Sequence, residues 1–289
     1  MSKPIIRSLF IFVINLTLRE FFFILFIITK ETHFDNLKTT RGRKAMQISG
    51  NEENIFEKKA QAILKYLKSN LRYDDKYLPR PFFIELTGSP SSGKTTTITE
   101  LDKFFRRQGF RVLRPQEGAE VIRHIPRTTP LYNVRTGLYA LNILIDESYG
   151  HLYDIIIFDR CVFDAYCWMM YWLEKRQISQ KEKNMIQSFF LSRFWTDKID
   201  AAYFMVCDSK LAMERELRIA LSRKLGETTN PKTVDILVRR YKNAYNILSP
   251  QFPQLQLIDT TTLNEQEMIK NIAVKTLQIL EQKTKTAAK

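Results

Sequence analysis

The stretch FIELTGSPSSGKTTTITELDKFF, residues 83–105, contains the pattern G-x-x-x-x-G-K-[ST] at every fixed position, from Gly88 to Thr95. A strand-like run precedes the pattern and a helical one follows, which is the context that a phosphate-binding loop requires. Gly88 and Gly93 permit a backbone path that other residues resist, so N–H groups can converge on phosphate oxygens where the helix begins. The stretch therefore predicts a nucleotide-binding loop, whereas an ordinary Gly/Ser turn would not need this context.

The loop and the start of the following helix supply the candidate nucleotide contacts. Lys94 is expected to reach the β- and γ-phosphates, and the Thr95 hydroxyl is expected to bind Mg²⁺. ATP is the expected nucleotide, with GTP as the alternative. The predicted contact residues are Gly88, Ser89, Pro90, Ser91, Ser92, Gly93, Lys94, Thr95 and Thr96.

Strand-like and helical patterns alternate along most of the chain. The apolar runs that predict strands are FFIEL (82–86), FRVLR (110–114), DIIIF (154–158), AAYFMV (201–206) and LQLID (255–259). Periodic stretches predict helices from Ile55 to Leu71 and at about 93–108, 117–125, 131–150, 161–176, 180–195, 209–223, 231–247 and 263–283. Continuous apolar strands separated by helices indicate an α/β fold in three layers, with a five-stranded parallel sheet covered on both faces.

A second polar strand end follows the run DIIIF. Asp159 comes directly after this run and is expected to hold Mg²⁺, either directly or through water. Arg160 is next, and a guanidinium at this place can clamp an anionic substrate by bidentate contacts. Asp164 would lie near the same strand end if the intervening segment forms the start of a helix. Capping that helix is the alternative role for Asp159.

These elements resemble the nucleoside and nucleotide kinase group of P-loop proteins. The resemblance rests on Gly88–Thr95, on the pair Asp159-Arg160 and on an Arg-rich segment near 215–223, and it covers about residues 82–262. Thymidylate, deoxynucleoside and nicotinamide-riboside kinases belong to this group, together with AAA-domain relatives. The resemblance implies a P-loop NTPase fold with a helical lid, and phosphoryl transfer from ATP with Mg²⁺ to a nucleoside, nucleotide or related metabolite. Thymidylate kinases usually carry Pro-Gly-Gly where this chain has PQEGAE, so thymidylate itself is a doubtful acceptor.

The resemblance also implies roles for residues outside the loop. RVLRPQEGAEVIRHI is similar to the segment of thymidylate kinases that meets the acceptor, so Glu117 is the candidate base or acceptor-orienting group. Complementing a helix dipole is its alternative role. In the lid, Arg218 and Arg223 are expected to close on the transferred phosphate, and Arg215 pairs with Arg218 on one helical face. A solvated basic helix is the alternative. The catalytic set is Lys94, Glu117, Asp159, Arg160, Arg218 and Arg223, and the metal ligands are Thr95 and Asp159.

An acceptor pocket would draw on aromatic and basic side chains in the middle of the chain. Tyr132 and Trp168 are among several aromatic residues that could stack on a ring, although most of them are expected in the core. Arg127 and Arg135 could meet an acceptor phosphate.

Composition restricts the partners. The formal charge of +14 suits a phosphorylated ligand, nucleic acid or an anionic membrane, or it reflects a Lys-rich composition alone. We expect no specific nucleic acid, because no recognition module appears. Three cysteines without metal-ligand spacing predict reduced thiols and a cytoplasmic protein. The expected partners are a nucleotide and a small-molecule acceptor, and a homodimer is left open.

Residues 1–45 form an apolar and basic extension. Arg7, Arg19 and Glu20 interrupt its apolar part, which makes it a poor transmembrane helix because a spanning helix needs about 20 apolar residues. The extension is either a spurious addition before a start at Met46 or an anchor, in which case residues 1–29 contact the membrane and the remainder faces the cytoplasm. Residues 46–80 are expected to form a helix and a linker, and residues 81–285 the P-loop kinase-like domain.

Two other functions compete with phosphoryl transfer. A regulatory NTPase would bind the same nucleotide and change its partners. The chain lacks N-x-K-x-D, and no D-x-x-G follows the strand that precedes Asp159, which disfavours a Ras-like GTPase but leaves an atypical nucleotide-binding protein open. A mechanical ATPase would need a further helical domain, yet only one predicted helix follows LQLID.

Overall fold

A parallel sheet organises the described part of the computed structural model, which comprises residues 50–70, 80–150, 152–219 and 230–287. Its five strands lie in the order β2-β3-β1-β4-β5, and every neighbouring pair is parallel. The strands are β1 (Phe82–Gly88), β2 (Val112–Leu113), β3 (Ile155–Asp159), β4 (Ile199–Val206) and β5 (Leu255–Asp259). The predicted α/β fold with a five-stranded parallel sheet is confirmed.

Helices connect the strands and cover both faces of the sheet. They are α1 (Gly50–Asn70), α2 (Lys94–Arg107), α3 (Gly118–Val121), α4 (Pro130–Glu147), α5 (Val162–Glu174), α6 (Gln180–Phe190), α7 (Arg193–Thr196), α8 (Ser209–Ile219), α9 (Pro231–Leu248) and α10 (Glu265–Ala287). Parallel strands need such crossovers, because a hairpin cannot join two strands that run in the same direction.

The alternation of side chains along β1 divides the core into two layers. Phe82, Ile84 and Leu86 point to one face and pack with apolar residues of α1, α2 and α10. Phe83 points to the other face, toward α4, α5 and α9. The same side of β1 that carries Phe83 also carries the buried polar residues Glu85 and Thr87. Because successive strand residues face opposite ways, these two polar groups are directed at the helices that line the site.

Some predicted elements are shorter than the sequence pattern suggests. Strand β2 keeps only two of its five predicted residues, because it lies at the sheet edge and pairs with β3 alone. Its flank is held by side chains instead: Arg111 binds Asp154. The helix predicted at 117–125 ends at Val121, where the next residue is extended. The stretch predicted as one helix at 180–195 is broken after Phe190, and Ser192 caps a short second helix.

The described helices include none that is both long and apolar enough to cross a membrane. The apolar extension, residues 1–45, lies outside the described residues, as do 71–79 of the predicted linker and 220–229 of the predicted lid. The anchor and start-site alternatives therefore stay predictions.

Candidate active site

The phosphate loop leaves the carboxyl end of β1 at the centre of the sheet. Gly88 has φ 143° and Gly93 has φ 93°, and Ser91 between them has φ 54°. The loop closely approaches β4: the N–H of Ser89 donates to the carbonyl of Met205 at 3.0 Å. A Cβ on Gly88 would lie 1.8 Å from that carbonyl oxygen. The glycine is therefore required both by its φ and by the lack of room beside the next strand.

Lys94 is folded back into the loop that carries it. Its Nζ donates to the carbonyl oxygens of Ser89 at 2.7 Å and Gly88 at 3.1 Å, with the Ser92 hydroxyl at 3.4 Å. Burial, reinforced by the neighbouring charge of Arg160, lowers the pKa of Lys94 to about 8. Within the described residues this buried ammonium is held by neutral oxygens and forms no ion pair, which is the arrangement that an incoming phosphate would complete.

Thr95 and Asp159 come together at the start of α2 and the end of β3. The Thr95 hydroxyl lies 3.4 Å from Oδ2 of Asp159. Oδ1 of Asp159 is buried and has no hydrogen-bond partner within the described residues. Mg²⁺ prefers oxygen ligands and is often held by one carboxylate together with phosphate oxygens and water, so this pair fits the ion. The described residues contain no cluster of three or more His, Cys, Asp or Glu suited to a metal.

Arg160 occupies the turn between β3 and α5 and holds a strained backbone conformation, with φ 70°. Its N–H donates to the carbonyl of Leu86 at 2.9 Å. Its guanidinium lies between two carboxylates: Nε is 3.3 Å from Oε1 of Glu117, and Nη1 is 3.2 Å from Oδ1 of Asp164. Burial disfavours the charge, but Asp164 and the other anions around it raise the pKa of Arg160, so it stays cationic.

Asp164 is the buried centre of a network that links three elements. Its Oδ1 accepts from the hydroxyls of Thr87 on β1 and Tyr241 on α9, as well as from Arg160. Of these residues, sequence reasoning singled out only Asp164 and Arg160. Neither Thr87 nor Tyr241 carries a motif, so only the tertiary structure brings them to the site.

Glu117 stands at the N-cap of α3 and is partly exposed. Burial raises the pKa of Glu117, while the charge of Arg160 acts to lower it. The Glu117 side chain makes no capping hydrogen bond to the helix, although its position at the helix start leaves the dipole role open. It lines a cavity instead.

That cavity has a volume of about 140 Å³ and adjoins the end of β3. Of the candidate acceptor contacts, Arg127, Tyr132 and Trp168 line it, whereas Arg135 is not among its lining residues. The hydroxyl of Tyr132 is buried and unpartnered within the described part of the chain. The full lining is Glu117, Gly118, Ala119, Arg127, Tyr132, Asn133, Thr136, Gly137, Asp159, Arg160, Cys161, Asp164 and Trp168.

A second, larger cavity of about 690 Å³ adjoins the phosphate loop. Arg215, not Arg218, reaches the loop from α8: its Nη1 donates to the carbonyl of Ser91 at 3.3 Å, and its Nη2 to that of Thr260 at 3.1 Å. Arg218 lines the same cavity but is exposed. Arg223 lies outside the described residues. The cavity is lined by Ser91, Gly93, Lys94, Thr95, Thr96, Leu211, Arg215, Glu216, Arg218, Thr261, Thr262, Leu263, Asn264, Glu265 and Met268.

No family model matches this chain, and no curated protein matches it. Solved structures similar to it include a deoxyadenosine kinase from M. mycoides with bound dCTP, at 17% identity and TM-score 0.46, over 67% of this chain and 98% of that one. A thymidylate kinase from Candida albicans is similar at 12% identity and TM-score 0.46, over 70% of this chain and 94% of that one. The strand order and the phosphate loop described above give this chain an α/β fold with a P-loop at the end of its central strand.

Proposed function

We propose that the protein transfers the terminal phosphoryl group of ATP, with Mg²⁺, to a hydroxyl of a nucleoside, a nucleotide or a related small metabolite. GTP is the alternative donor. One observation carries the proposal: a cavity partly lined by aromatic side chains opens at Asp159 and Arg160, and Asp159 lies next to Thr95 at the end of the phosphate loop. A protein that only hydrolyses its nucleotide needs room for a water molecule there, and has no use for a cavity with aromatic walls.

Three charged side chains of the site, Glu117, Arg160 and Lys94, have roles that suit phosphoryl transfer. The hydroxyl oxygen of the acceptor would attack the γ-phosphorus, the bond from that phosphorus to the β–γ bridging oxygen would break, and ADP would leave. Glu117 would take the proton of the hydroxyl, and burial raises its pKa, which makes it a stronger base than an exposed glutamate. Arg160 would hold the transferred oxygens, and Lys94 would turn from the loop carbonyls to the phosphates. Positioning and charge neutralisation would supply most of the rate enhancement.

Thr95 and Asp159 are the residues that would hold Mg²⁺. The ion would neutralise charge on the β- and γ-phosphates when bound. The unpartnered Oδ1 of Asp159 supports this role, because a buried carboxylate oxygen without a donor is costly unless a cation or water completes it. Arg218 and Arg223 remain the proposed lid contacts, and Arg215 joins them because it already touches the loop.

The runner-up is a regulatory nucleotide-binding protein that hydrolyses ATP or GTP slowly. The contact between Glu216 and the loop favours it: the hydroxyl of Ser91 donates to Oε2 of Glu216 at 2.9 Å. A bound triphosphate would break this contact through charge repulsion, and α8 would then report the presence of the nucleotide.

The full-length chain, a Lys94→Ala variant and a Glu117→Gln variant distinguish the two functions. Each is incubated with ATP or GTP, Mg²⁺ and pooled nucleosides, nucleotides and pyridine ribosides, and new phosphorylated products are detected by mass spectrometry. We expect a product from the unaltered chain, none from Lys94→Ala, and about 100-fold less from Glu117→Gln. ATP affinity should be retained in Glu117→Gln.

Nucleotide binding with slow hydrolysis, and no product from any pool, would favour the regulatory function. Equal product from the Glu117→Gln variant would remove Glu117 from the role of base and leave the transfer reaction in place.

A further inference from the structure

A buried glutamate in the middle of β1 reaches across to the beginning of α5. Glu85 has no solvent exposure. Its Oε1 accepts from the backbone N–H groups of Cys161 and Asp164, each at 2.9 Å, and its Oε2 accepts from the N–H of Phe163 at 3.3 Å. The side chain of Glu85 therefore accepts from three N–H groups at the helix start that have no partner within the helix itself.

Such a distant cap is unusual, because a helix start is normally served by the side chain of its own N-cap residue. The N-cap of α5 is Cys161, and its side chain makes no capping hydrogen bond. Cys161 lines the cavity beside Asp159 instead. Since the Cys161 side chain makes no capping hydrogen bond, the acceptor for these N–H groups comes from another element.

Burying a carboxyl group for a purely structural cap is costly. Burial raises the pKa of Glu85 to about 8, even though its three N–H donors act in the opposite direction. The segment it holds is also strained, because Arg160 directly before the helix has a positive φ. A strained backbone persists only where surrounding groups hold it, and such strain concentrates at functional sites.

The residues fixed by Glu85 are those that converge on the phosphate loop. Cys161 is bonded to Arg160, and Asp164 is held twice: by Glu85 at its N–H and by Thr87 at its carboxylate. Glu85 and Thr87 are two residues apart on β1, so they face the same way. One strand therefore supplies the loop at its end and, from its inner face, two contacts that orient the opposing turn.

We propose that Glu85 is a positioning residue for the reaction: by accepting the first N–H groups of α5, it holds Asp159, Arg160 and Asp164 in register with the phosphate loop. The proposal rests on the proposed function, since it assigns Glu85 to the same nucleotide and Mg²⁺ site. Glu85 itself touches neither cavity, so it acts only through the turn.

Two substitutions of similar length separate hydrogen bonding from packing. Glu85→Met fills the space and removes every acceptor, whereas Glu85→Gln keeps one oxygen for the N–H groups of Cys161 and Asp164. Asp200→Asn is the matched control. Asp200 is a buried carboxylate on β4 at the opposite end of the sheet, where it accepts from Arg80 and from the N–H of Phe83, each at 2.8 Å.

Two measurements on the full-length chain test the role. The first is hydrogen–deuterium exchange of peptides covering residues 160–165 without ligand. The second is ATP affinity with and without Mg²⁺, whose ratio reports how well Asp159 is placed. We expect Glu85→Met to exchange faster at 160–165 and to lose about 10- to 100-fold of the Mg²⁺-dependent gain in affinity, the range seen when partners of metal ligands are removed. Glu85→Gln should retain most of the protection from exchange at 160–165 and most of the Mg²⁺-dependent gain in ATP affinity. Asp200→Asn should lose stability while keeping the exchange pattern and the Mg²⁺-dependent gain.

The proposal is overturned if Glu85→Met keeps the exchange pattern and the Mg²⁺-dependent gain, or if Asp200→Asn loses them equally. Failure of the proposed function looks different: the unaltered chain would then bind no ATP, or Mg²⁺ would not tighten its binding. In that event the exchange measurement alone decides whether Glu85 orders the turn, and the assignment to phosphoryl transfer falls with the function.

Discussion

Replacing Gly88 by Ala is the sharpest test of how the phosphate loop is attached to the sheet. The added methyl would lie 1.8 Å from the carbonyl oxygen of Met205, and 2.6 Å and 2.8 Å from the C and N of the same residue. These are backbone atoms of a central strand, so no side-chain rotation can relieve the overlap. The strands have to separate by about 1 Å or more before ordinary contact distances return.

Three costs add to the loss of stability. Overpacking a rigid core costs about 1–3 kcal/mol, and a non-glycine residue at the positive φ of 143° costs about 1–2 kcal/mol more. Separating the strands also stretches the bond from the N–H of Ser89 to Met205, worth about 0.5–1.5 kcal/mol. The expected loss is therefore about 2.5–6.5 kcal/mol, a large part of the 5–15 kcal/mol that keeps a typical domain folded.

Gly93→Ala is the matched control within the same loop. Its added methyl would meet the sulfur and terminal carbon of Met268, at 2.5 Å and 2.6 Å, and a methionine side chain can rotate away. Only the positive φ of 93° remains as a cost, about 1–2 kcal/mol. Urea denaturation of both variants, followed by circular dichroism, gives the two free energies of unfolding. If Gly88→Ala loses less than about 1 kcal/mol, or no more than Gly93→Ala, the argument from backbone contact is refuted.

Three further predictions concern the charges and hydrogen bonds of the site. Because the pKa of Lys94 is about 8, the ammonium loses its proton as the pH rises above 8, and ATP affinity should fall progressively. A flat binding profile between about pH 7 and about 9.5 would contradict this. Glu216→Gln removes a negative charge that contacts Ser91, so ATP should bind roughly 2- to 5-fold more tightly in a fluorescence titration. Weaker ATP binding would show instead that the contact stabilises the loop. Tyr241→Phe removes one donor to Asp164 and should cost about 1–3 kcal/mol in urea denaturation, and unchanged stability would show that the remaining donors suffice.

Much of the fold can be predicted from the sequence, because its strongest signals are local. The loop pattern Gly88–Thr95 and the buried strand run before Asp159 each specify a backbone path and a neighbouring element. The sequence predicts element boundaries less accurately where side-chain contacts override local conformational preference. The edge strand β2 is the clearest case, since the N–H and the guanidinium of Arg111 donate to the carboxylate of Asp154.

Helical spacing alone does not predict which arginine of the lid contacts the phosphate loop. Periodicity places Arg215 and Arg218 on one face, but it does not say which of them meets another element. The structure brings Arg215 to the carbonyls of Ser91 and Thr260, and leaves Arg218 exposed at the cavity rim. The choice depends on how α8 leaves β4, which is a long-range property of the sheet.

By itself, the sequence determined the phosphate loop, the alternation of strands and helices, and the polar end of β3 at Asp159 and Arg160, because these depend on residues that are neighbours in the chain. Only the tertiary structure decided that Glu85, Thr87 and Tyr241 support this site. Glu85 and Thr87 contact Cys161 and Asp164 at sequence separations of 76 to 79, and Tyr241 contacts Asp164 at a separation of 77. Strand order and helix packing set those contacts, and no short motif encodes them.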